Sequence, residues 1–392
     1  MVAKGADMNG EKTVAEFFAG IGLMRMGLEQ AGWRVVWAND IDEDKMKMYR
    51  GHYTDDDAHF HLGDVHTISP DDIPTVALAT ASFPCNDLSL AGARRGLAGQ
   101  QSGAFWGFVD AIKGMGNRRR PPLVILENVA GFLTSHDGHD FQDACVALND
   151  LGYAVDAFMI DAALFVPQSR LRLFLMGKRE KQKPMQVAET PSFYQSQCRP
   201  QALADFILCH PDIRWALQEL PDIPKRQTGL ADILEDLPVN SAYWWSKDRA
   251  KYLLNQMSEK HRAVAQKMIE GKKTTYGTVF RRVRHGQSMA ELRTDTIAGC
   301  LRTPRGGSGR QILFAAGKGR YAVRLLTPRE CARLMGADDF RITVPLNQAL
   351  FGFGDAVCVP AIRWIAENYL TPAWEQLHAK EHREERYAVK AV

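Results

Sequence analysis

The sequence predicts an α/β fold on a doubly wound parallel sheet, and three observations lead there. From Thr13 to about Gly177, short apolar runs alternate with longer stretches of helical periodicity. The chain has 392 residues, 45% of them hydrophobic, which is enough for one large domain or two ordinary ones with a sizeable core. A glycine-bearing turn follows the first apolar run, where such sheets let a ligand approach the backbone.

The first strand is expected at 14–18, running into Phe17-Phe18-Ala19-Gly20-Ile21-Gly22, with a helix at 23–31 stopped by Gly32. The second strand, 34–38, leads into Asn39-Asp40-Ile41-Asp42. Strand 76–81 precedes Pro84-Cys85-Asn86-Asp87-Leu88-Ser89, and a helix follows at 105–115. Strand 123–126 ends in Glu127-Asn128-Val129. A helix at 140–151 and strands at 154–160 and 171–176 complete the module.

After Gly177 the βα rhythm stops, so the first domain is expected to run to 179 and a second, smaller domain from 180 to 320. Within it, 258–270 reads as helix, and 274–283 and 311–315 as strands around the glycine-rich turn 305–310. Tyr243, Trp244 and Trp245 read as core. Thr327-Pro328-Arg329-Glu330 is a capping box, with threonine at the N-cap, proline first and glutamate third. The apolar stretch 359–370 returns, within a segment 321–392, to complete the first domain.

Composition narrows the function classes. No apolar run reaches the roughly 18 to 20 residues needed to span a bilayer, and the N-terminus carries no signal-peptide core, so a soluble cytoplasmic protein is expected. Cysteines at 85, 145, 198, 209, 300, 331 and 358 are odd in number and lack paired short spacings, which argues against a disulfide framework or a zinc site; no metal is expected. The net charge of +3 demands no polyanion, but between 271 and 310 nine basic residues face two acidic ones. That stretch reads as a phosphate-binding surface or as a solvated basic face.

Candidate site residues cluster at expected strand ends. The Gly20-x-Gly22 turn departs from the dinucleotide fingerprint, because the next glycine is Gly27 rather than one three residues after Gly22, so no pyrophosphate is required. Asp40, at the next strand end, suits both hydroxyls of a ribose, and Asp64 in Gly63-Asp64-Val65 suits an adenine amino group. Cys85 and Glu127 place a thiol and a carboxylate at two further strand ends. Arg170 and Arg172 alternate with Leu171 and Leu173, so both project from one strand face. The glycines at 92, 96, 99 and 103 punctuate a basic stretch holding Arg94 and Arg95.

Together, Phe18-Ala19-Gly20-Ile21-Gly22, Phe83-Pro84-Cys85, Glu127-Asn128-Val129, Gln168-Ser169-Arg170-Leu171-Arg172 and Gly354-Asp355-Ala356-Val357 resemble the ordered signature of DNA cytosine-5 methyltransferases. The resemblance covers roughly 13–177 and 295–370. It implies a Rossmann-like S-adenosylmethionine-dependent methyltransferase sheet with a target-recognition domain. It also implies that Cys85 adds to cytosine C6, that protonated Glu127 supports N3, that Arg172 holds O2 and that Arg170 helps position the catalytic loop. S-adenosylmethionine would be bound by Phe18, Ala19, Gly20, Ile21, Gly22, Asp40, Ile41, Asp64, Val65, Pro84, Phe105, Asp355 and Ala356, leaving S-adenosylhomocysteine as product. Duplex DNA would meet Ser89, Arg94, Arg95, Arg302, Arg305 and Arg310, with the target base flipped out of the stack. A monomer is expected, with a restriction endonuclease as a companion and nucleoid association in a bacterial host.

Three positions depart from the family pattern. Asn86 replaces the common glutamine, Asp355 replaces asparagine and bears on cofactor affinity, and Ser102 stands where an arginine often precedes the glycine, leaving Phe105 as the apolar cofactor contact. The same chemistry on RNA, a catalytically silent DNA-binding regulator and a nicotinamide oxidoreductase are the competing readings. The long insert, the intact Cys85 and Glu127, and the paired arginines respectively disfavour them.

Overall fold

The computed structural model describes residues 11–54, 59–84, 103–179, 195–284, 286–303 and 309–379. Its centre is a seven-stranded sheet in the order β3-β2-β1-β4-β5-β7-β6. The strands are β1 (Thr13–Phe17), β2 (Arg34–Asp40), β3 (Phe60–Leu62), β4 (Leu78–Ala81), β5 (Leu123–Val129), β6 (Tyr153–Asp161) and β7 (Leu171–Arg179). Parallel pairing joins β3, β2, β1, β4 and β5, and the strand order reverses direction between β1 and β4. Ligands of open α/β sheets bind outside the carboxyl ends of the strands at such a reversal.

The sheet is not wholly parallel. β7 runs antiparallel to both β5 and β6. The reason is length: only residues 162–170 link β6 to β7, and a parallel crossover takes about a dozen residues or more.

Helices cover both faces. α1 (Leu23–Gln30) and α2 (Glu43–His52) follow β1 and β2, and α3 (Ala104–Gly114), α4 (Gly116–Arg119) and α5 (His139–Asp150) lie between β4 and β6. One apolar cluster joins Leu28 of α1 and Leu78 of β4 to Ile362, Ile365 and Leu370 near the C-terminus. The other joins Val124 of β5 to Phe108 of α3, Leu148 of α5 and Leu203 of α6 (Gln201–Cys209). The chain near 203–215 therefore packs into the core of the large sheet, although it lies past the expected edge at 180.

A second sheet has the order β11-β10-β8-β9 and is antiparallel throughout. Its strands are β8 (Thr275–Arg284), β9 (Gln287–Arg293), β10 (Ile312–Gly317) and β11 (Arg320–Leu325), with α7 (Lys247–Asn255) and α8 (Glu259–Glu270) on one face. β11 carries this sheet beyond residue 320. Trp244 packs against the first apolar cluster of the large sheet and Trp245 against that of the second sheet, as expected, whereas Tyr243 is 45% exposed, and all three line a cavity of about 300 Å³.

The chain then returns through α9 (Pro328–Leu334), α10 (Leu346–Asp355) and α11 (Val359–Ile365). The capping box forms as the sequence predicts: Thr327 Oγ1 accepts from Glu330 N at 3.1 Å, and Glu330 accepts from Thr327 N at 2.9 Å. Burial adds Arg324, which donates to Glu330 Oε2 at 2.6 Å and ties the second sheet to this helix start. Leu346–Ala379 is the one helical stretch among the described residues with the length and apolarity of a membrane span, and 67% of its apolar window is buried, as in a core helix.

Candidate active site

β1 leads into a turn with positive φ at Phe18 (56°), Gly20 (58°) and Gly22 (83°). Gly22 requires its glycine, because a Cβ there would lie 2.5 Å from the Tyr53 ring and 2.8 Å from that of Tyr49. A Cβ on Gly20 would meet nothing nearer than 4.0 Å, so that side of the turn is open. The turn is tied to β2: Ala19 N donates to Asn39 O at 2.8 Å, and Gly20 N to Asp40 Oδ2 at 2.8 Å.

Asp40 is 6% exposed, and its Oδ1 accepts from Asp42 N at 2.9 Å. Burial raises its pKa; Lys45 and the two backbone donors oppose that rise. Each carboxylate oxygen keeps a second lone pair, enough to receive two hydroxyls. Ile41, 68% exposed, and Leu62, 46% exposed, put apolar surface beside it. Asp64 is exposed and caps its turn by accepting from His66 N at 3.0 Å. An open glycine turn, a buried carboxylate with lone pairs to spare, an apolar shelf and an exposed acceptor at Asp64 fit a nucleoside-bearing cofactor. Ile21 and Val65 are buried to 2% and 5%, so their side chains belong to the core.

Two expected contacts read differently in the fold. Phe105 has no exposed surface and sits 5.4 Å from the Phe83 ring; it is a core residue, and its neighbour Trp106, 38% exposed, is the aromatic at the surface. Helical phase decides this, since adjacent residues point about 100° apart. Asp355, 44% exposed, pairs with Lys45 at 2.9 Å, so its added charge is neutralised within the protein. Burial lowers the Lys45 ammonium, but Asp355 and Asp40 outweigh it and leave the pKa raised.

Glu127 and Arg172 meet. Arg172 Nε lies 2.9 Å from Glu127 Oε1, and the carboxylate side chain is 8% exposed. The antiparallel register of β5 and β7 brings them together, with Val129 opposite Arg172. Asn128 Nδ2 donates to Phe83 O at 3.2 Å, which fixes to β5 the backbone two residues before Cys85. Pro84 is exposed. Cys85, Ser89, Arg94, Arg95 and Arg305 lie outside the described residues.

Arg170 is 3% exposed, and its guanidinium donates to the carbonyls of Leu301, Gly354 and Ala356. It clamps the returning C-terminal segment to the start of β7. Arg302 and Arg310 line one small cavity of about 20 Å³ with Leu301 and Leu326, and Arg310 donates to Asn347 Oδ1 at 2.7 Å.

Sequence reasoning missed several residues here. Cys300 Sγ lies 3.4 Å from Arg170 Nη1. Burial pushes this thiol up, yet Arg170, Arg172 and Arg302 outweigh burial and bring it below its ordinary value. No local motif marks Cys300 or Lys45, because their partners are far away in sequence. Glu16, 1% exposed beneath the glycine turn, accepts from Arg25 N at 3.3 Å. Burial pushes its carboxyl up to about 8, against the pull of Arg25.

Glu16 supplies a pH prediction. Folded, its carboxyl keeps a proton up to about pH 8; unfolded, it loses that proton near 4.5. Between those values the unfolded chain binds fewer protons, so stability falls as pH rises. Glu16→Gln is expected to remove that part of the fall. Thermal unfolding of both proteins at pH 5 and pH 8 checks it, and equal losses would count against it.

The profile of the C-5 cytosine-specific DNA methylase family matches residues 12–371. The chain is 25% identical over 360 residues to the type II methyltransferase M.Bsp6I of Bacillus sp. (strain RFL6), covering 91% of this chain and 97% of that one. It is 29% identical over 366 residues to M.NlaX of Neisseria lactamica, covering 91% and 95%. Among solved structures, the Entamoeba histolytica methyltransferase EhMeth superposes with a TM-score of 0.61 at 15% identity over 92% of this chain and 98% of that one, a likeness of fold.

Proposed function

Because the chain belongs to the C-5 cytosine-specific DNA methylase family, we propose that it methylates a flipped cytosine of duplex DNA through a covalent Cys85–C6 adduct. The observation that carries this reading is the meeting of Glu127 with Arg172 beside the tied Phe83 carbonyl, two residues before Cys85. S-adenosylmethionine supplies the methyl group. The turn from Phe18 to Gly22, with Asp40, Ile41 and Asp64, would hold its nucleoside, and Asp355 and Ala356 would add contacts from the returning C-terminal segment.

Cytosine C5 is a weak nucleophile. Addition of the Cys85 thiolate to C6 pushes an electron pair toward C5, while a proton from Glu127 settles on N3. On base entry the Glu127–Arg172 pair would part, with Arg172 moving to cytosine O2. After methylation, a base takes the C5 proton, the Cys85–C6 bond breaks to regenerate the thiolate, and N3 returns its proton to Glu127. Arg170 acts as a positioning residue through the carbonyls it holds. We assign the β8–β11 sheet with α7 and α8 to target recognition, and Ser89, Arg94, Arg95, Arg302, Arg305 and Arg310 to the DNA backbone.

Duplex DNA with 5-fluorocytosine tests this, because fluorine cannot leave as a proton does. A covalent adduct mapped to Cys85 in the presence of S-adenosylmethionine is the expected result. An adduct with RNA and none with DNA would overturn the substrate assignment.

A further inference from the structure

One face of the second sheet is filled and the other only half covered. On the filled face, Val279, Leu292, Ile312 and Phe314 join Leu253 and Ala265 in an apolar cluster. On the opposite face, Leu313 of β10 enters the core of the large sheet, and Arg324 of β11 is buried in its pair with Glu330. The β8–β9 end of that face is more open: Tyr276 is 36% exposed and the Arg282 side chain 55%. Register places Phe280 opposite Glu291, Arg282 opposite Met289 and Thr278 opposite Arg293, so these side chains share the face.

Arg282 is held in place there. Its guanidinium lies 4.8 Å from the Phe280 ring centre, and its Nε is 3.9 Å from Glu291 Oε2. The chain leaving β9 runs directly to the catalytic end. Ala298 N donates to Pro167 O at 2.7 Å, Ser169 N to Ala298 O at 2.9 Å, and Leu301 N to Gln168 Oε1 at 3.0 Å. A duplex whose cytosine reaches Glu127 therefore has this ribbon as its neighbour.

We propose that the β8–β9 ribbon lies in the major groove of the substrate duplex and that Arg282, stacked on Phe280 beside Glu291, reads a guanine. The inference rests on the DNA-methylating reading given above. A two-stranded ribbon fits the major groove, and the arginine fork matches guanine O6 and N7. Stacking orders that fork before binding, which lowers the entropy lost on contact. The adjacent carboxylate separates base reading from phosphate binding: Glu291 repels a phosphate but accepts from the N4 amino group of the paired cytosine.

The experiment is bisulfite sequencing of a randomised duplex library methylated by the full chain and its variants. Arg282→Gln is expected to lower the preference for guanine at one position by roughly 5- to 150-fold, leaving the other positions unchanged. Arg282→Lys, which keeps the charge and loses the fork, is expected to relax the same position, so a glutamine variant that fails to fold does not decide the matter. Arg310→Gln is expected to weaken all sites alike. An unchanged profile, an equal loss at every position, or a wild-type site without a required guanine overturns the ribbon's role. If the wild type methylates no cytosine, the enzyme reading itself falls and this inference falls with it.

Discussion

Cys85→Ala is expected to abolish methyl transfer, by roughly 10⁴-fold or more, while S-adenosylmethionine binding stays within a few-fold of wild type. Without a nucleophile at C6, no electron pair reaches C5, and removing a covalent route restores the full barrier of the direct step. The cofactor turn is built elsewhere, from β1 and the tie of Gly20 to Asp40. Tritiated methyl transfer to duplex DNA and calorimetric titration of the cofactor measure the two halves separately. Residual activity within tenfold of wild type would sink the covalent mechanism.

Glu127→Gln comes second, with an expected loss in kcat of roughly 10² to 10⁴ at saturating DNA, the range of general acid–base assistance. The glutamine retains a carbonyl oxygen for Arg172, now 2.9 Å from the Glu127 carboxylate, so the local fold should survive. What it lacks is a proton to give to N3. A single-turnover assay with unchanged DNA affinity separates this from damage to binding. A loss smaller than tenfold would remove Glu127 from the proton transfer.

Much of the large sheet was legible because its buried strands are continuous apolar runs, and the strands expected at 34–38, 123–126 and 154–160 lie within β2, β5 and β6. The missed elements carry weak local signals. β3 has three residues and exists through its pairing with β2, Ala38 opposite Phe60. α2, with the sequence EDKMKMYRGH, is mostly polar; its start is fixed by Asp42, whose side chain accepts from Asp44 N and Lys45 N. β9 and β11, QSMAELR and RYAVRL, mix charge with apolar residues, and their ladders define them. The burial of Phe105 was not legible for a related reason, because composition names an aromatic while helix phase decides whether it or Trp106 meets the surface.

The sequence by itself determined the α/β class, the glycine turn with its carboxylates, and the residue types on which the proposed cytosine chemistry draws, because each is written in a short contiguous stretch. Only the tertiary structure decided the partners. Lys45 neutralises Asp355, Arg172 meets Glu127, and Arg170 clamps Leu301, Gly354 and Ala356. The physical reason is range. Propensity and periodicity act over a few residues, whereas an ion pair or a buried donor is satisfied by whatever the folded chain brings within about 3 Å, however distant in sequence.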